Sequence, residues 1–578
     1  MRSTLITAAI AVTMAVTPSS PPENAALAQL AQELTDHSDP GMWDDMEGSL
    51  VRERVLMLSE EAAVAETRWA TQFLKKLQAV DRWKLTGEDR VTWELLEWEA
   101  SMIADRGEFF WLDSPVTPYT SPLRTITSRF AAARLQTAED RQRYLDGLHR
   151  LVPFAAQIQA KLTGQLGRGI VLPVAQIDNV VPFIRTFAAG PGSNPFVVAE
   201  TRLTSVAADL RTAFATEVHT TIADHVAPAF QRLAAFVEGP YRARAPNGVG
   251  LSQYRGGDRY YRFLVRQHTS LDLTPQQIHD IGLAEVARLE RELDAARQQA
   301  GFAGPLSDFR TFLKSDSRFI PQTAEQIGER LMAAAARIEP KIPAFFTARP
   351  TAGYGARRLA PALEPLMTYG YYQAPNTVDP KGYYLYNGLG LADRSLLNVA
   401  ALSYHELVPG HHFQIALTKE NTSLSGFRQR AGYTAYLEGW GEYASDLAGE
   451  MGMYTDPYDR AGRLSMDLFL STRLVVDTGM NALGWSRERA MDYMREHTFE
   501  SETQIKTESL RYSTDLPGQA LAYKLGSRGI RELRERLRQE LGARFDIKRF
   551  HQAVLGHGAM PLKVLEDHVR REMVDQSR

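Results

Sequence analysis

The segment 403-SYHELVPGHHFQIAL-417 places three histidines and one glutamate within eight residues of an otherwise apolar stretch. It begins like the zinc-binding signature His-Glu-x-x-His, in which two histidines four residues apart share a metal on one face of a helix. Here Pro409 stands where the second histidine belongs, and the next histidines are His411 and His412. Whether this segment can form a metal site therefore depends on the backbone conformation between His405 and the later histidines.

A straight helix cannot build a metal site from these histidines. His405 and His411 would point about 240° apart and lie about 9 Å apart along the axis, and His412 would lie about 10.5 Å away. Proline removes a helical N–H group, and glycine accepts backbone angles that other residues avoid. We therefore expect the helix to break at Pro409 and Gly410 and to bring His411 back beside His405.

Three glutamates supply the rest of a metal site. Glu406 directly follows His405 and is expected to take a proton from a metal-activated water molecule. The segment 436-YLEGWGEYASDLAGEMG-452 offers Glu438 as a third ligand, about 30 residues further on. Glu442 lies one helical turn later on the same face and could hold a ligand histidine in place. A lone buried histidine is usually a packed core residue, but a cluster of this density favours a metal site.

The composition excludes several classes of function. The chain has 578 residues, 44% of them hydrophobic, and its 66 basic and 69 acidic residues nearly balance. It therefore lacks the basic surplus typical of nucleic-acid-binding proteins. The sequence contains no cysteine, so disulfides, thiolate ligands and cysteine nucleophiles are excluded.

The N-terminus has the pattern of a signal peptide. An apolar run of about 12 residues, Leu5–Val16, follows Arg2, and an Ala-x-Ala cleavage pattern lies at Ala26–Ala28. The run is too short to cross a bilayer, which takes roughly 20 residues. We predict that residues 1–28 are a signal peptide and that the protein is exported to the periplasm or secreted, without a membrane anchor. A cytosolic N-terminal segment is the alternative.

Hydrophobic periodicity predicts a mainly α-helical chain. Apolar residues recur at three- and four-residue spacing from about residue 29 onward, and the segment 274–301 opens with a capping threonine and closes at Gly301. The aromatic segment 369-YGYYQAPNTVDPKGYYLYNGLG-390 predicts two or three strands, and helices resume at Asp393. We predict an N-terminal helical part at 29–260 and a catalytic part at 261–578, intertwined in one globular unit, with a small sheet directly before the metal-binding helix.

Several segments together resemble one bacterial family. They are the motif H-E-x-x-P-G-H-x-x-Q, which ends at Gln414, and the stretches 438–452, 473–494, 508–526 and 550–569. The family is the bacterial domain of unknown function 885 (DUF885), whose members resemble zincin-type metallopeptidases. The resemblance implies a zincin-like helical fold, and a large helical frame around a buried metal helix suggests a deep substrate channel that admits short peptides. The resemblance also implies His405, His411 and Glu438 as ligands of one Zn²⁺ per chain, with Glu406 as the catalytic base. In this arrangement His412, Glu442 and Gln414 would support the ligands.

The predicted reaction is hydrolysis of short peptides by a metal-activated water molecule. Tyr523, Tyr512 and Tyr386 are candidates for stabilising the oxyanion, with Tyr523 preferred. Arg473 would either pair with Asp477 one turn on or bind a substrate carboxylate. The strand 382-GYYLYNG-388 is predicted to be an edge strand that holds the substrate backbone. The full set of predicted substrate-binding residues is Tyr386, Asn387, Arg473, Arg511, Tyr512, Gln519 and Lys524.

Three other functions fit parts of the sequence. The same machinery could hydrolyse non-peptide amides or esters, or the fold could serve as an inactive binding protein. A helical interaction protein without a metal is the third alternative. The predicted partner is a peptide substrate, with no nucleic acid, and the predicted assembly is a monomer or a homodimer.

Overall fold

The computed structural model describes residues 24–38, 58–361, 364, 369–376 and 379–574. Most of the predicted signal peptide lies outside these residues. The predicted cleavage pattern Ala26–Ala28 falls in the first turn of a helix that begins at Ala25. Leu27 in this turn is completely buried and shares a core cluster with Phe73 and Trp93. A cut at this place would therefore remove a packed side chain from the helix.

The described chain is mainly helical and contains one three-stranded sheet, as predicted. Among the described residues, no helix has both the length and the hydrophobicity that a bilayer crossing requires. The α-helices are α1 (Ala25–Ser38), α2 (Glu60–Gln78), α3 (Gly87–Arg106), α4 (Pro122–Ala132), α5 (Ala138–Gly167), α6 (Val174–Ala188), α7 (Ala208–Thr221), α8 (Ala227–Phe236), α9 (Gly257–Thr269), α10 (Pro275–Gln299), α11 (Leu306–Ser315), α12 (Ala324–Ile338), α13 (Ile342–Phe345), α14 (Val399–Glu406), α15 (His411–Glu420), α16 (Gly426–Arg430), α17 (Thr434–Glu450), α18 (Pro457–Ala482), α19 (Arg487–His497), α20 (Glu502–Leu510), α21 (Leu521–Leu541), α22 (Ile547–Leu555) and α23 (Leu562–Val574). The strands are β1 (Tyr354–Arg358), β2 (Gly370–Gln373) and β3 (Gly382–Tyr386).

Helix α10 shows how local chemistry sets the helix ends. The Thr274 hydroxyl accepts a hydrogen bond from the backbone N–H of Gln277, and the Gln277 side chain accepts one from the N–H of Thr274. This reciprocal capping satisfies two N–H groups that have no partner inside the helix. The helix ends before Gly301, which adopts a φ of +70° that favours glycine. Both predicted ends are confirmed.

The N-terminal and C-terminal parts share their cores. Val91 and Leu95 of α3 are fully buried in the same cluster as Tyr404 of α14 and Trp440 of α17. A second cluster is built entirely from residues between Val116 and Tyr241. Because α3 contributes directly to the core around α14 and α17, the early part of the chain helps to fix the candidate site.

The sheet order is β1-β3-β2, with β3 parallel to β1 and antiparallel to β2. The segment predicted to be an edge strand, 382–388, contains β3, so that prediction was wrong. Both sides of β3 already hydrogen-bond to neighbouring strands, and no backbone edge is left for a substrate. The period-2 pattern predicts a strand but carries no information about its place in the sheet. The edge strands of the sheet are β1 and β2.

The helix break predicted at Pro409 and Gly410 is confirmed. Helix α14 ends at Glu406, and α15 begins at His411, with the residues between them outside any helix. The start of α14 differs from the expectation, because the helix begins at Val399 and not at Asp393. Asp393 instead ends a short 3₁₀ turn that starts at Leu391.

Candidate metal centre

The break between α14 and α15 brings two histidine rings together. The ring centres of His405 and His411 lie 4.7 Å apart, with the rings inclined at 84°. Gly410 makes this approach possible, since a Cβ atom there would lie 1.8 Å from the backbone oxygen of His405. Any residue other than glycine would push the start of α15 away from the end of α14.

Glu438 of α17 completes a group of three donor atoms. Its Oε2 atom lies 3.5 Å from Nε2 of His405 and 3.3 Å from Nε2 of His411. These distances exceed the usual hydrogen-bond length of about 2.9 Å but match the separation of about 3.3 Å between ligands of a tetrahedral zinc with bonds of about 2.0 Å. The three side chains offer donor atoms that all lie within 4.8 Å of one another. Their type and spacing fit a zinc ion.

The other face of His405 is held by a buried ion pair. Nδ1 of His405 lies 2.9 Å from Oε1 of Glu442, whose second oxygen lies 3.1 Å from Nη1 of Arg463. Burial disfavours the charged imidazole, but hydrogen bonds with Glu438 and Glu442 outweigh it and raise the pKa of His405 to about 10. Glu442 thus fixes which nitrogen of His405 faces Glu438. Gly441 leaves room for the ring, because a Cβ atom there would approach it within 2.8 Å.

His405 and Glu406 line a cavity of about 250 Å³. Burial raises the pKa of Glu406 above its usual range, although the neighbouring His405 and His411 oppose this shift. A carboxylate whose pKa is moved toward neutrality is suited to accept and return a proton. The remaining lining residues are Tyr119, Tyr369, Gly370, Tyr384, Asn398, Leu402, Met466, Phe469, Leu470, Arg473, Glu500, Glu508, Arg511 and Tyr523.

Arg473 lies in the cavity wall and does not pair with Asp477, so the pairing that the sequence favoured was wrong. Its Nε donates to the Tyr512 hydroxyl at 2.7 Å, and its Nη2 donates to Glu508 at 3.3 Å. Asp477 instead accepts a hydrogen bond from the Tyr261 hydroxyl at 2.6 Å. Both arginine and aspartate lie on α18, but the packing of α20 and α9 against that helix gives each of them a partner from a distant segment.

Tyr523 lies beside the candidate metal centre. Its ring lies 6.4 Å from the ring of His405, nearly parallel to it, and 4.9 Å from the guanidinium carbon of Arg473. Burial, with a contribution from Glu438, raises the pKa of Tyr523 to about 12. Gln519 hydrogen-bonds to Tyr523 and accepts from Nη2 of Arg511 at 2.6 Å.

Three of the predicted substrate-binding residues are used elsewhere in the fold. Lys524 is buried, with its ammonium group 2.6 Å from Asp467 and 3.0 Å from Glu285. Asn387 donates to the backbone oxygen of Glu364. The Tyr386 ring packs against Gly328 of α12. None of these three residues lines the cavity.

His412 and Gln414 contact other elements. Nδ1 of His412 hydrogen-bonds to the Tyr372 hydroxyl of β2 at 2.9 Å, and its Nε2 lies 3.0 Å from the backbone oxygen of Ala352. His412 therefore ties the sheet to α15. Gln414 donates to the backbone oxygen of Tyr436 at 3.3 Å, which joins α15 to α17 near Glu438.

Several polar lining residues were not predicted, among them Asn398. Tyr119 and Tyr369 lie far from the histidine motif in sequence, and no local pattern marks them. Glu500 hydrogen-bonds to the Tyr369 hydroxyl. Glu508 could have been noticed, because Arg511 and Tyr512 follow it at three- and four-residue spacing and all three share one helical face.

Comparisons with known proteins place most of the chain in one group. The family model for bacterial proteins of unknown function (DUF885) matches residues 42–569. A structure from Colwellia psychrerythraea, named a "putative lipoprotein", superposes with a TM-score of 0.82 at 25% identity and covers 95% of this chain and 98% of that one. A "putative lipoprotein of unknown function" from Shewanella oneidensis gives a TM-score of 0.70 at 17% identity, covering 94% and 98%. The M32 carboxypeptidase of Deinococcus radiodurans covers 95% of both chains at 12% identity, but its TM-score of 0.40 is too low to bear on function. No curated protein matches the sequence.

Proposed function

The chain belongs to the DUF885 family, and from the geometry of its candidate metal centre we propose that it is a zinc-dependent peptidase. His405, His411 and Glu438 hold the metal. The observation that carries the proposal is the convergence of their donor atoms within 4.8 Å, beside a cavity that Glu406 also lines. Two imidazoles and one carboxylate form the ligand set typical of catalytic zinc, which leaves one position open.

Zinc in this site would lower the pKa of a water molecule and polarise the carbonyl group of the substrate. Glu406 takes a proton from the water molecule as the water oxygen attacks the carbonyl carbon of the scissile bond. The protonated Glu406 then gives this proton to the amine nitrogen as the C–N bond breaks. Tyr523 donates a hydrogen bond to the carbonyl oxygen as negative charge develops there.

The edge strand β2 is the element that could hold the substrate backbone. Gly370 at its start lines the cavity, and β2 pairs with β3 on one side only among the described residues. An extended peptide could add to its other side by backbone hydrogen bonds.

We also propose that the protein is exported. The N-terminal apolar run predicts this, and the two similar structures carry the name lipoprotein. Cell fractionation followed by N-terminal sequencing of the mature protein tests it. Recovery of the protein in the cytosol with an intact N-terminus would contradict it.

Metal analysis and one variant test the enzymatic proposal. Purified protein should contain about one zinc per chain. Glu406→Gln should keep the zinc and lose hydrolysis of a mixed peptide library, read by product masses. Protein without stoichiometric metal, or a Glu406→Gln variant that remains active, would contradict it. Zinc-loaded protein that cleaves esters or non-peptide amides but no peptide would favour the alternative hydrolase.

A further inference from the structure

The cavity that His405 and Glu406 line also carries two arginines in its wall, and we infer that they bind the free carboxylate of a peptide's C-terminal residue. This inference rests on the proposed peptidase function and makes the enzyme a carboxypeptidase. The two arginines are Arg473 of α18 and Arg511, which follows α20.

Arg473 presents an unused donor. It is 5% exposed, and its guanidinium lies 4.2 Å from the Phe469 ring centre and 4.9 Å from that of Tyr523. Its Nε and Nη2 atoms donate to Tyr512 and Glu508, while Nη1 takes part in no hydrogen bond among the described residues. The rings on either side hold the guanidinium plane in place, so this donor has a fixed direction.

Arg511 has a similar arrangement. Its Nη1 lies 3.3 Å and 3.4 Å from the two oxygens of Glu508, and its Nη2 donates to Gln519. Its Nε is buried and has no hydrogen-bond partner among the described residues. A buried polar donor without a partner is costly, so the hydrogen-bonding capacity of Arg511 is not fully used by the described residues.

The charges at this end of the cavity do not balance. Burial opposes ionisation of Glu508, but the charges of Arg511 and Arg473 outweigh it and lower its pKa. One carboxylate thus faces two guanidinium groups. Of the other two acids in the wall, Glu406 lies beside His405 and His411, and Glu500 does not compensate fully, because burial raises its pKa to about 7. A substrate carboxylate would supply the missing negative charge, and guanidinium groups bind carboxylates in a defined geometry.

The distance to the metal centre fits the end of a peptide. The Tyr523 ring lies 4.9 Å from the guanidinium carbon of Arg473 and 6.4 Å from the His405 ring, which limits how far apart Arg473 and His405 can be. A span of at most about 11 Å accommodates one or two residues, at about 3.8 Å each, between the metal and the arginine. Met466, Phe469 and Leu470 form an apolar wall beside the arginines, which suits an apolar C-terminal side chain. The same arginines would repel the ammonium group of a free N-terminus.

A pair of substrates tests the inference with the unmodified protein. An N-acetylated tetrapeptide ending in leucine is compared with its C-terminal amide, using the zinc-loaded enzyme. We expect release of leucine from the free acid and a kcat/KM at least about 100-fold lower for the amide. Equal cleavage of both peptides, or cleavage at internal bonds of longer peptides, would overturn the carboxylate site while leaving a peptidase.

Variants then assign the effect to Arg473. Arg473→Gln should reduce kcat/KM for the acid much more than kcat/KM for the amide, so the ratio of the two values falls toward one. Arg473→Lys keeps the positive charge but lacks the paired N–H donors of the guanidinium group. It should restore part of the acid-to-amide ratio of kcat/KM. The control Arg495→Gln removes an exposed arginine that pairs with Glu502 and Asp492 and should change neither rate. An equal loss on both substrates in Arg473→Gln would show a structural role.

Binding separates this inference from the proposed function. Calorimetry with N-acetyl-leucine and its amide on the zinc-loaded protein should show tighter binding of the acid. If no peptide is hydrolysed, the peptidase proposal fails, and the acid–amide difference still decides the carboxylate site. Equal binding of the two compounds would refute that site.

Discussion

Arg463 lies 3.1 Å from Glu442, on the side of the carboxylate opposite His405. The charge of Arg463 keeps Glu442 ionised despite complete burial, and the ionised carboxylate accepts the Nδ1 proton of His405. The other ring nitrogen of His405, Nε2, is thereby directed toward Glu438. Three elements, α14, α17 and α18, thus fix one histidine in the orientation that a metal requires.

Glu442→Gln should weaken zinc binding by about 10- to 100-fold, because a neutral amide makes a weaker hydrogen bond to the His405 imidazole than a charged carboxylate does. Competition with a chromogenic chelator measures the affinity. Glu450→Gln, at the exposed end of the same helix, serves as the matched control and should bind zinc like the unmodified protein. Unchanged affinity in Glu442→Gln would show that Glu442 does not support the ligand.

Gly441→Ala should lower zinc affinity by displacing His405. The added Cβ would approach the His405 ring within 2.8 Å, which is closer than side chains tolerate. The ring, which belongs to α14, packs directly against α17 at Gly441. Gly167→Ala is the control, because a Cβ there meets no atom within 4 Å. Chelator competition together with thermal unfolding separates loss of the site from loss of the fold. Normal zinc affinity in Gly441→Ala would show that the His405 ring does not lie against Gly441.

The histidine pair was predictable because its cause is local. Pro409 and Gly410 act on the backbone within one turn of His405, and simple helix geometry excludes the unbroken alternative. Glu438 was predictable for a related reason, since the segment 436–452 follows the motif by about 30 residues and places this carboxylate next to Gly439. The helix caps at Thr274 and Gly301 belong to the same class of short-range effects.

Long-range partners were not predictable from the sequence. Arg473 has an acidic residue one turn away, yet its partner is Glu508 from another helix. The strand pattern of 382–386 is clear, but its central place depends on β1 and β2, whose order no local signal encodes. The sequence predicts Lys524 to bind substrate, but in the structure its ammonium group pairs with Asp467 and Glu285. In each case the tertiary packing of distant segments selects the contact.

Asp477 should make the protein less stable as the pH rises. Burial raises its pKa to about 7, although hydrogen bonds from Tyr261 and the N–H of Gly518 oppose the shift. An unfolded aspartate has a pKa of about 3.9, so between about pH 4 and pH 7 the folded state binds more protons than the unfolded state. The free energy of unfolding therefore falls by up to about 1.4 kcal/mol per pH unit over this range.

Asp477→Asn removes this titration. The difference in unfolding temperature, variant minus unmodified protein, should increase as the pH is raised from 5 to 8. Asp272→Asn, which replaces an exposed aspartate, should show a difference that does not change with pH. A constant difference for Asp477→Asn would mean that the carboxyl is ionised throughout.

Tyr523→Phe should reduce turnover without removing the metal. The hydroxyl keeps its proton at neutral pH because burial raises its pKa to about 12, so it can donate to an oxyanion. Loss of one such donor typically costs about 10² to 10³ in kcat, with little change in KM. Tyr144→Phe removes a hydroxyl that donates to the backbone oxygen of Phe196 in the N-terminal cluster, and it should leave kcat unchanged. Tyr512 is the competing candidate, but its hydroxyl is already engaged by Arg473 and Glu508. A larger loss of kcat in Tyr512→Phe than in Tyr523→Phe, at equal zinc content, would transfer the role to Tyr512.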